Sequence, residues 1–124
     1  MASGLDGVVA AETILSHTDR GTGMVWVRGQ DLPTLVEQHG FEGTVALLWD
    51  GFAADGLTRA GISDALGQAR IAAYETMPTW LPNTNGRPLF EGVRIALAAQ
   101  TDNTDAVDLL AALTVAVPAL VRQA

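Results

Sequence analysis

The chain has 124 residues, of which 48% are hydrophobic and only 17% are charged, whereas charged residues make up about 25% of typical soluble domains. This length suits one hydrophobic core, so it excludes a multidomain protein and predicts a single domain over residues 1–124. Fourteen acidic and seven basic residues give a net charge of −7, which disfavours nucleic acid as a partner, and the absence of cysteine excludes disulfides and thiolate chemistry.

The N-terminal sequence MASGLDG has neither the basic segment nor the apolar segment of a secretory signal. We therefore expect a cytoplasmic protein. The most apolar stretch, Leu109 to Val117, is far shorter than the roughly 20 residues that span a bilayer. We expect this stretch to lie in a protein core or a protein–protein interface, and we expect no membrane partner.

The first predicted element is a β-hairpin. Residues Val8 to Leu15 mix alternating polarity with β-branched side chains, and Met24 to Val27 have the same character. Between them, the segment from Thr18 to Gly23 is dense in turn residues. The pattern predicts two antiparallel strands joined by this turn.

Two short helices are predicted next. Asp31 is a suitable N-cap and Gly40 can adopt the left-handed conformation that ends a helix, so the first helix is predicted from Leu32 to His39. The second is predicted from Glu42 to Trp49, and Gly51 is expected to stop it.

A longer amphipathic helix is predicted from Leu57 to about Tyr74, with Asp55 as its candidate N-cap. Its apolar residues at helical spacing are Leu57, Ile62, Leu66, Ala69 and Ala73. The following segment, Met77 to Gly86, contains two prolines and an Asn-Gly pair. This composition predicts the main internal loop, with Trp80 exposed or at an interface.

Two further helices complete the prediction. Pro88 opens the first, and its apolar face is formed by Phe90, Val93 and Leu97. Asn103 or Thr104 is expected to cap the last helix, which has hardly any polar face and which Pro118 is expected to kink. The expected fold is therefore mainly α, with an N-terminal β-hairpin followed by about five helices.

The polar motifs do not form a self-contained site. Gly21-Thr22-Gly23 precedes a strand, whereas phosphate loops follow one, so a turn is the preferred interpretation. Residues 102–105 lack the central glycine and distal glutamate of a calcium loop and predict helix capping. His17 and His39 have no partners in the pattern of a triad or a metal pair. We expect no catalytic, cofactor-binding or metal-binding residue in this chain.

The tryptophans are the remaining candidates for ligand contact. Trp26, Trp49 and Trp80 have rings that can stack on a ligand or line a pocket. At strand and helix spacing, aromatic side chains belong to the core more often than to a site. Trp49 shares an apolar stripe with Val45 and Leu48, which favours the core.

Three longer motifs lie in the first half of the chain. Gly7 to Ser16 is GVVAAETILS, Val27 to Leu32 is VRGQDL, and Phe41 to Gly51 is FEGTVALLWDG. In order and spacing they resemble the opening of the citrate synthase family, which includes the 2-methylcitrate synthases. The usual family runs are GVxxxETxLS, RGYxI and FExxxxLLWxG, and Gln30 stands here in place of the family's aromatic residue.

Two later segments are also similar to helices of this family. Phe90 to Ala99 resembles a helix that follows a His-Pro-Met step, although the step is Arg-Pro-Leu at residues 87–89 of this chain. Leu109 to Val121 resembles the helix after that one. The resemblance thus implies that residues 1–124 correspond to the start of the family's large domain.

In the family, an acyl-CoA, acetyl-CoA most often, is condensed with oxaloacetate. The resemblance implies an aspartate that removes a proton from the acyl methyl group, a histidine that stabilises the enol and a second histidine that polarises the ketone. These groups belong to later family segments, so the resemblance assigns no catalytic residue and no bound cofactor to this chain. Glu12 and Arg28 occupy family positions, and we interpret them as structural residues beside the hairpin.

Two hypotheses of different classes follow. In the first, the chain is the small non-catalytic subunit of a split citrate synthase-like acyltransferase, active only with a partner chain that carries the catalytic histidines and aspartate. In the second, it is a non-catalytic homo-oligomeric scaffold or regulator with the same fold. A third possibility, beside these two hypotheses, is a degenerate fragment without activity. Arg122 is the sole charged residue after Asp108, and we expect this charge-poor segment to form a partner interface.

Overall fold

The computed structural model describes residues 12–53 and 55–123 of the chain. As predicted, this part is mainly helical, with 65% helix, four helices of ten or more residues and a small three-stranded sheet near the N-terminus. The residues group into two compact units, with the boundary between Leu57 and Thr58. The single domain over residues 1–124 stays a prediction, as does the correspondence to the citrate synthase large domain.

The first unit opens with an antiparallel sheet of β1 (Ser16–Thr18), β2 (Val25–Val27) and β3 (Gln30–Asp31). The predicted hairpin is present, but its first strand lies later than the predicted Val8 to Leu15, of which residues 8–11 lie outside the described residues. The reason is the Asp19 carboxylate, which accepts hydrogen bonds from two backbone N–H groups of the turn. These bonds confine the turn to residues after Thr18. Thr18 itself therefore pairs with Val25 of β2.

The predicted short helices of the first unit are confirmed in position. The Asp31 carboxylate accepts a hydrogen bond from the Thr34 N–H at 2.7 Å and starts α1 (Leu32–Thr34), which continues as a π-helical turn (Leu35–His39). Gly40, with a φ of 62°, ends this turn and is the first residue of α2 (Gly40–Trp49). Only a residue that tolerates positive φ suits that junction.

In the second unit, Thr58 is the N-cap of α3 (Arg59–Trp80), and its hydroxyl oxygen accepts a hydrogen bond from the Gly61 N–H at 3.1 Å. The prediction of Asp55 as the N-cap is therefore wrong, because Thr58 is the residue in extended conformation next to the helix. The hydroxyl of Thr58 satisfies one of the backbone donors that a helix start leaves without a partner.

The predicted loop from Met77 to Gly86 is wrong in its first half. α3 continues through Pro78 to Trp80, and a 3-10 turn (Leu81–Thr84) follows directly. Pro78 is exposed and lies in the last turn of α3, so water can replace the hydrogen bond that its missing N–H removes. The second proline falls at the start of the 3-10 turn, where no N–H is needed.

Trp80 is buried, with 5% of its surface exposed, so the prediction of an exposed or interfacial side chain is wrong. Its position at helical spacing from the core residues of α3 explains the burial. Those residues are Ile62, Leu66 and Ala69. Trp80 packs in a cluster with Ala96, Ala116 and Leu120, and the burial of its large ring supports the extension of the helix.

The last two helices are α4 (Leu89–Ala98) and α5 (Ala106–Gln123). Asp105 caps α5 by accepting a hydrogen bond from the Asp108 N–H at 2.9 Å, so the prediction of Asn103 or Thr104 as the cap is wrong. Asp105 is the residue directly before the helix, which places its carboxylate within reach of the first free N–H groups. α5 runs without interruption through Pro118.

α4 packs on α5 through its small residues. Gly92 and Ala96 are buried, whereas Phe90 of the predicted apolar face is 78% exposed. A Cβ atom at Gly92 would lie 2.7 Å from Leu120 Cδ2, which is closer than non-bonded carbon atoms pack, so one of the two groups would have to shift. Gly92 lies against Leu120, and Ala96 lines the same small space as Ala112, so the two helices run antiparallel. Glycine therefore sets how closely they approach.

Candidate functional site

The candidate chemical residues of the first unit do not converge on a site. His17 is exposed in β1 opposite Trp26, and His39 is half-buried at the end of the π-helical turn. Among residues 12–53 and 55–123, the structure contains no group of three or more histidines and carboxylates that could hold a metal ion. Trp26 and Trp49 are both half-buried.

The Gly21-Thr22-Gly23 segment forms a turn, as interpreted from its position. Its N–H groups are already used, because the Asp19 carboxylate accepts from the Gly21 N–H at 2.7 Å and from the Thr22 N–H at 3.4 Å. The hydrogen bond from the Gly21 backbone lowers the pKa of Asp19, with a further contribution from Thr22. The Asp19 carboxylate thus occupies the backbone N–H groups that would otherwise bind a phosphate group.

Arg28 has a structural role in the first unit. It lies with Gly29 in the two-residue turn between β2 and β3, and both residues have positive φ. Its Nε donates a hydrogen bond to the Leu47 carbonyl at 3.2 Å, and a terminal nitrogen donates to the Asp50 carbonyl. The guanidinium also lies over the Phe52 ring, 5.2 Å from its centroid. Arg28 therefore holds the sheet against the C-terminal end of α2.

The hydrogen-bond partners of the Arg28 guanidinium are thus backbone carbonyl groups. Among the described residues, the one ion pair joins Arg87, which precedes α4, to Glu91 in the first turn of α4, with 3.5 Å between Nη1 and Oε2. The carbonyl contacts of Arg28 join residues far apart in the chain, so no local sequence pattern indicates them.

A shallow cleft of about 250 Å³ lies in the second unit between α3 and the segment that connects α4 to α5. Thr76, Thr79 and Asp108 are among its lining residues. Both threonine hydroxyls donate to carbonyls of their own helix, and the described residues include no buried side-chain nitrogen or oxygen without a hydrogen-bond partner. The cleft therefore shows no buried polar group without a hydrogen-bond partner.

The second unit instead has two exposed surfaces without charge. The first, which we call the α4–α5 face, consists of the exposed large apolar side chains of these two helices: Leu89, Phe90, Leu97, Leu109, Val117 and Val121. Val121 is 59% exposed. One side of the charge-poor segment after Asp108 thus packs within the unit, through Ala111, Ala112, Ala116 and Leu120, and the other side is open.

By length and composition, α5 is the one described helix that could cross a membrane. The core helix of a soluble protein meets the same criterion, and α5 packs against both α3 and α4.

The second surface, which we call the outer stripe, lies on α3. It consists of Ala60, Ser63, Gly67, Ile71, Tyr74 and Pro78. By the period of 3.6 residues per turn, these residues fall within about 80° of one another, on a side of α3 that does not overlap its core residues. Ile71 is 58% and Tyr74 is 64% exposed. This second set was missed in the sequence, because small residues and one serine interrupt its apolar pattern.

Comparisons with protein-family models, with curated proteins and with solved structures found no match to this chain. The resemblance to the citrate synthase family therefore stays a prediction carried by the three motifs of the first half.

Proposed function

We propose that this protein is a non-catalytic subunit that acts only in complex with a partner chain. The partner is a citrate synthase-like chain that carries the catalytic histidines and aspartate. The complex condenses an acyl-CoA, acetyl-CoA first of all, with oxaloacetate. This chain contributes helical surface to that complex and binds no cofactor of its own.

The observation that carries the proposal is the α4–α5 face. Its six large side chains expose on the order of 500 Å² of apolar surface, as much as the largest apolar patch of a typical monomer. An apolar patch of this size is often functional, and covering it with a partner chain removes apolar surface from water. Phe90 is the most exposed of the six, and a protruding aromatic ring is a typical anchor of an interface.

The choice of partner rests on the family resemblance. Two of the three motif segments contact each other, since Arg28 of the VRGQDL motif donates hydrogen bonds to the carbonyls of Leu47 and Asp50 in the FEGTVALLWDG motif. These motif residues therefore act together in holding one folded unit. A shared motif set of this kind supports a shared scaffold, and the catalytic groups of the proposed complex come from the partner.

The second candidate function is a homo-oligomeric scaffold or regulator. The outer stripe favours it, because this surface is separate from the α4–α5 face and offers a place where two copies of the chain can meet.

Co-expression tests the proposal. The chain is produced with a citrate synthase-like protein of the same organism that retains the two histidines and the aspartate. We expect the two chains to co-purify and the complex to release CoA from acetyl-CoA only when oxaloacetate is present. The control is the partner chain purified alone, which we expect to be inactive. Separate elution of the two chains, or full activity of the partner alone, would contradict the proposal.

A further inference from the structure

The positions of the outer stripe of α3 repeat after eleven residues, which is close to three helical turns. All six residues are uncharged, and the larger members of the stripe lie in its second half. The pairs at this spacing are Ala60 and Ile71, Ser63 and Tyr74, and Gly67 and Pro78.

The charged residues beside the stripe repeat in the same way. Arg59 and Arg70 lie on one flank, and Asp64 and Glu75 lie on the other. Each pair is again separated by eleven residues. The stripe is therefore an uncharged seam with one basic and one acidic border.

Gly67 in the middle of this seam is not required by packing among the described residues. Glycine in a helix interior costs about 1 kcal/mol relative to alanine. A Cβ atom at Gly67 would meet nothing within 4 Å beyond its own helix backbone and chain neighbours, and φ at this position is not positive. By contrast, a Cβ atom at Gly92 would lie 2.7 Å from Leu120 Cδ2, so packing within the unit explains that glycine. A glycine at such a position is explained when another backbone approaches the helix there.

We propose that a second copy of this chain binds along the outer stripe, so that the two α3 helices lie parallel about a two-fold axis. In that arrangement the basic flank of each helix faces the acidic flank of the other. Arg59 then lies opposite Asp64 of the second copy, and Arg70 lies opposite Glu75 of the second copy. Both pairs have the five-residue offset of charge pairs across parallel paired helices. An antiparallel pair would instead place the two acidic flanks together.

The side chains leave room for these contacts. Arg59, Asp64 and Glu75 are exposed. Arg70 is half-buried and donates one hydrogen bond, from Nε to the Thr114 hydroxyl at 3.2 Å. A guanidinium has further N–H groups, so the terminal nitrogens of Arg70 are the donors for a carboxylate. Because a single helix stripe is a small interface, we expect a dimer that dissociates in the micromolar range.

Sedimentation analysis of the purified chain across micromolar concentrations tests this inference. We expect the mass to rise from 13.0 kDa toward twice that value. Ile71→Glu should weaken dimerisation at least about a hundredfold, because it places an unpaired charge in the seam. Val121→Glu is the matched control, since Val121 is also β-branched and the two are 58% and 59% exposed. Far-UV circular dichroism and thermal melting check that both variants remain folded.

A charge exchange tests the parallel orientation. Asp64→Arg alone places arginine opposite Arg59, and Arg59→Glu alone places two carboxylates opposite each other. We expect each variant to dimerise about tenfold more weakly than the original chain. An equimolar mixture of the two variants should recover the dimer, because each pair again combines opposite charges. This experiment uses the chain alone, so its result is independent of the citrate synthase-like partner.

Three results would overturn the inference. The first is a chain that stays monomeric over the whole concentration range. The second is a dimer that Val121→Glu disrupts and Ile71→Glu leaves intact. The third is a pair of charge variants whose mixture dimerises no better than either variant alone.

Discussion

Gly92→Ala is the sharpest test of the packing in the second unit. The added methyl group would lie 2.7 Å from Leu120 Cδ2 and 3.2 Å from its Cδ1. Leu120 is 6% exposed and packs in the cluster with Trp80, so a shift of its side chain disturbs that packing. Overpacking of this kind costs about 1–3 kcal/mol, whereas alanine gains about 1 kcal/mol over glycine in a helix. We expect a net loss of up to about 2 kcal/mol in the free energy of unfolding.

Gly67→Ala is the matched control, because the same methyl group meets no neighbour there. At concentrations where the chain is monomeric, we expect this variant to gain up to about 1 kcal/mol. The helix gain of alanine is common to both variants, so they should differ by the overpacking cost of about 1–3 kcal/mol in urea unfolding followed by circular dichroism. If Gly92→Ala is as stable as Gly67→Ala, the close approach of α4 and α5 is refuted.

Three further substitutions test the remaining local features. Thr58→Ala should cost about 1 kcal/mol in urea unfolding through the lost helix cap, while Asp55→Ala should change stability by less than about 0.5 kcal/mol; equal effects would contradict the cap assignment. Hydrogen bonds from Thr34 lower the pKa of Asp31, so the stability that they give is present above the ordinary carboxyl range and is lost as the pH falls through the lowered value. The unfolding midpoint, measured as a function of pH, should therefore fall less in acid for Asp31→Ala than for the original chain. An unchanged pH profile would argue against this role of Asp31. Arg28→Ala should cost about 1–2 kcal/mol and increase amide exchange at the C-terminal end of α2, whereas unchanged exchange would exclude the contact with its carbonyls.

The features that sequence reasoning predicts well are set by neighbouring residues. Asp31 caps a helix through the N–H of Thr34, and Gly40 and Gly51 interrupt helices because each has positive φ. The prediction of a loop around Pro78 is wrong because it considers only neighbouring residues. Whether this segment is helical depends on contacts with residues far away in the chain. Burial of Trp80 among residues of α4 and α5 outweighs the helix-breaking composition of that segment.

The candidate surfaces also depend on contacts between residues that are far apart in the chain. The lack of charge after Asp108 indicates a contact surface, but only the packing on α3 and α4 shows which side of α5 is used within the unit. Gly92 has the same appearance in the sequence as Gly67, and the two differ only in their surroundings. The outer stripe is present in the sequence as a second period of uncharged residues, which becomes recognisable once the core side of α3 is known.

The most direct test of the proposed function is a reconstitution titration. Purified chain is added to the citrate synthase-like partner, and oxaloacetate-dependent CoA release is measured against the concentration of the added chain. We predict saturable activation, and Phe90→Glu should shift it to at least about tenfold higher concentration because Phe90 is 78% exposed on the α4–α5 face. Ile71→Glu on the outer stripe should leave the binding of the partner unchanged. Activity that does not depend on the added chain, or equal activation by Phe90→Glu, would contradict the account.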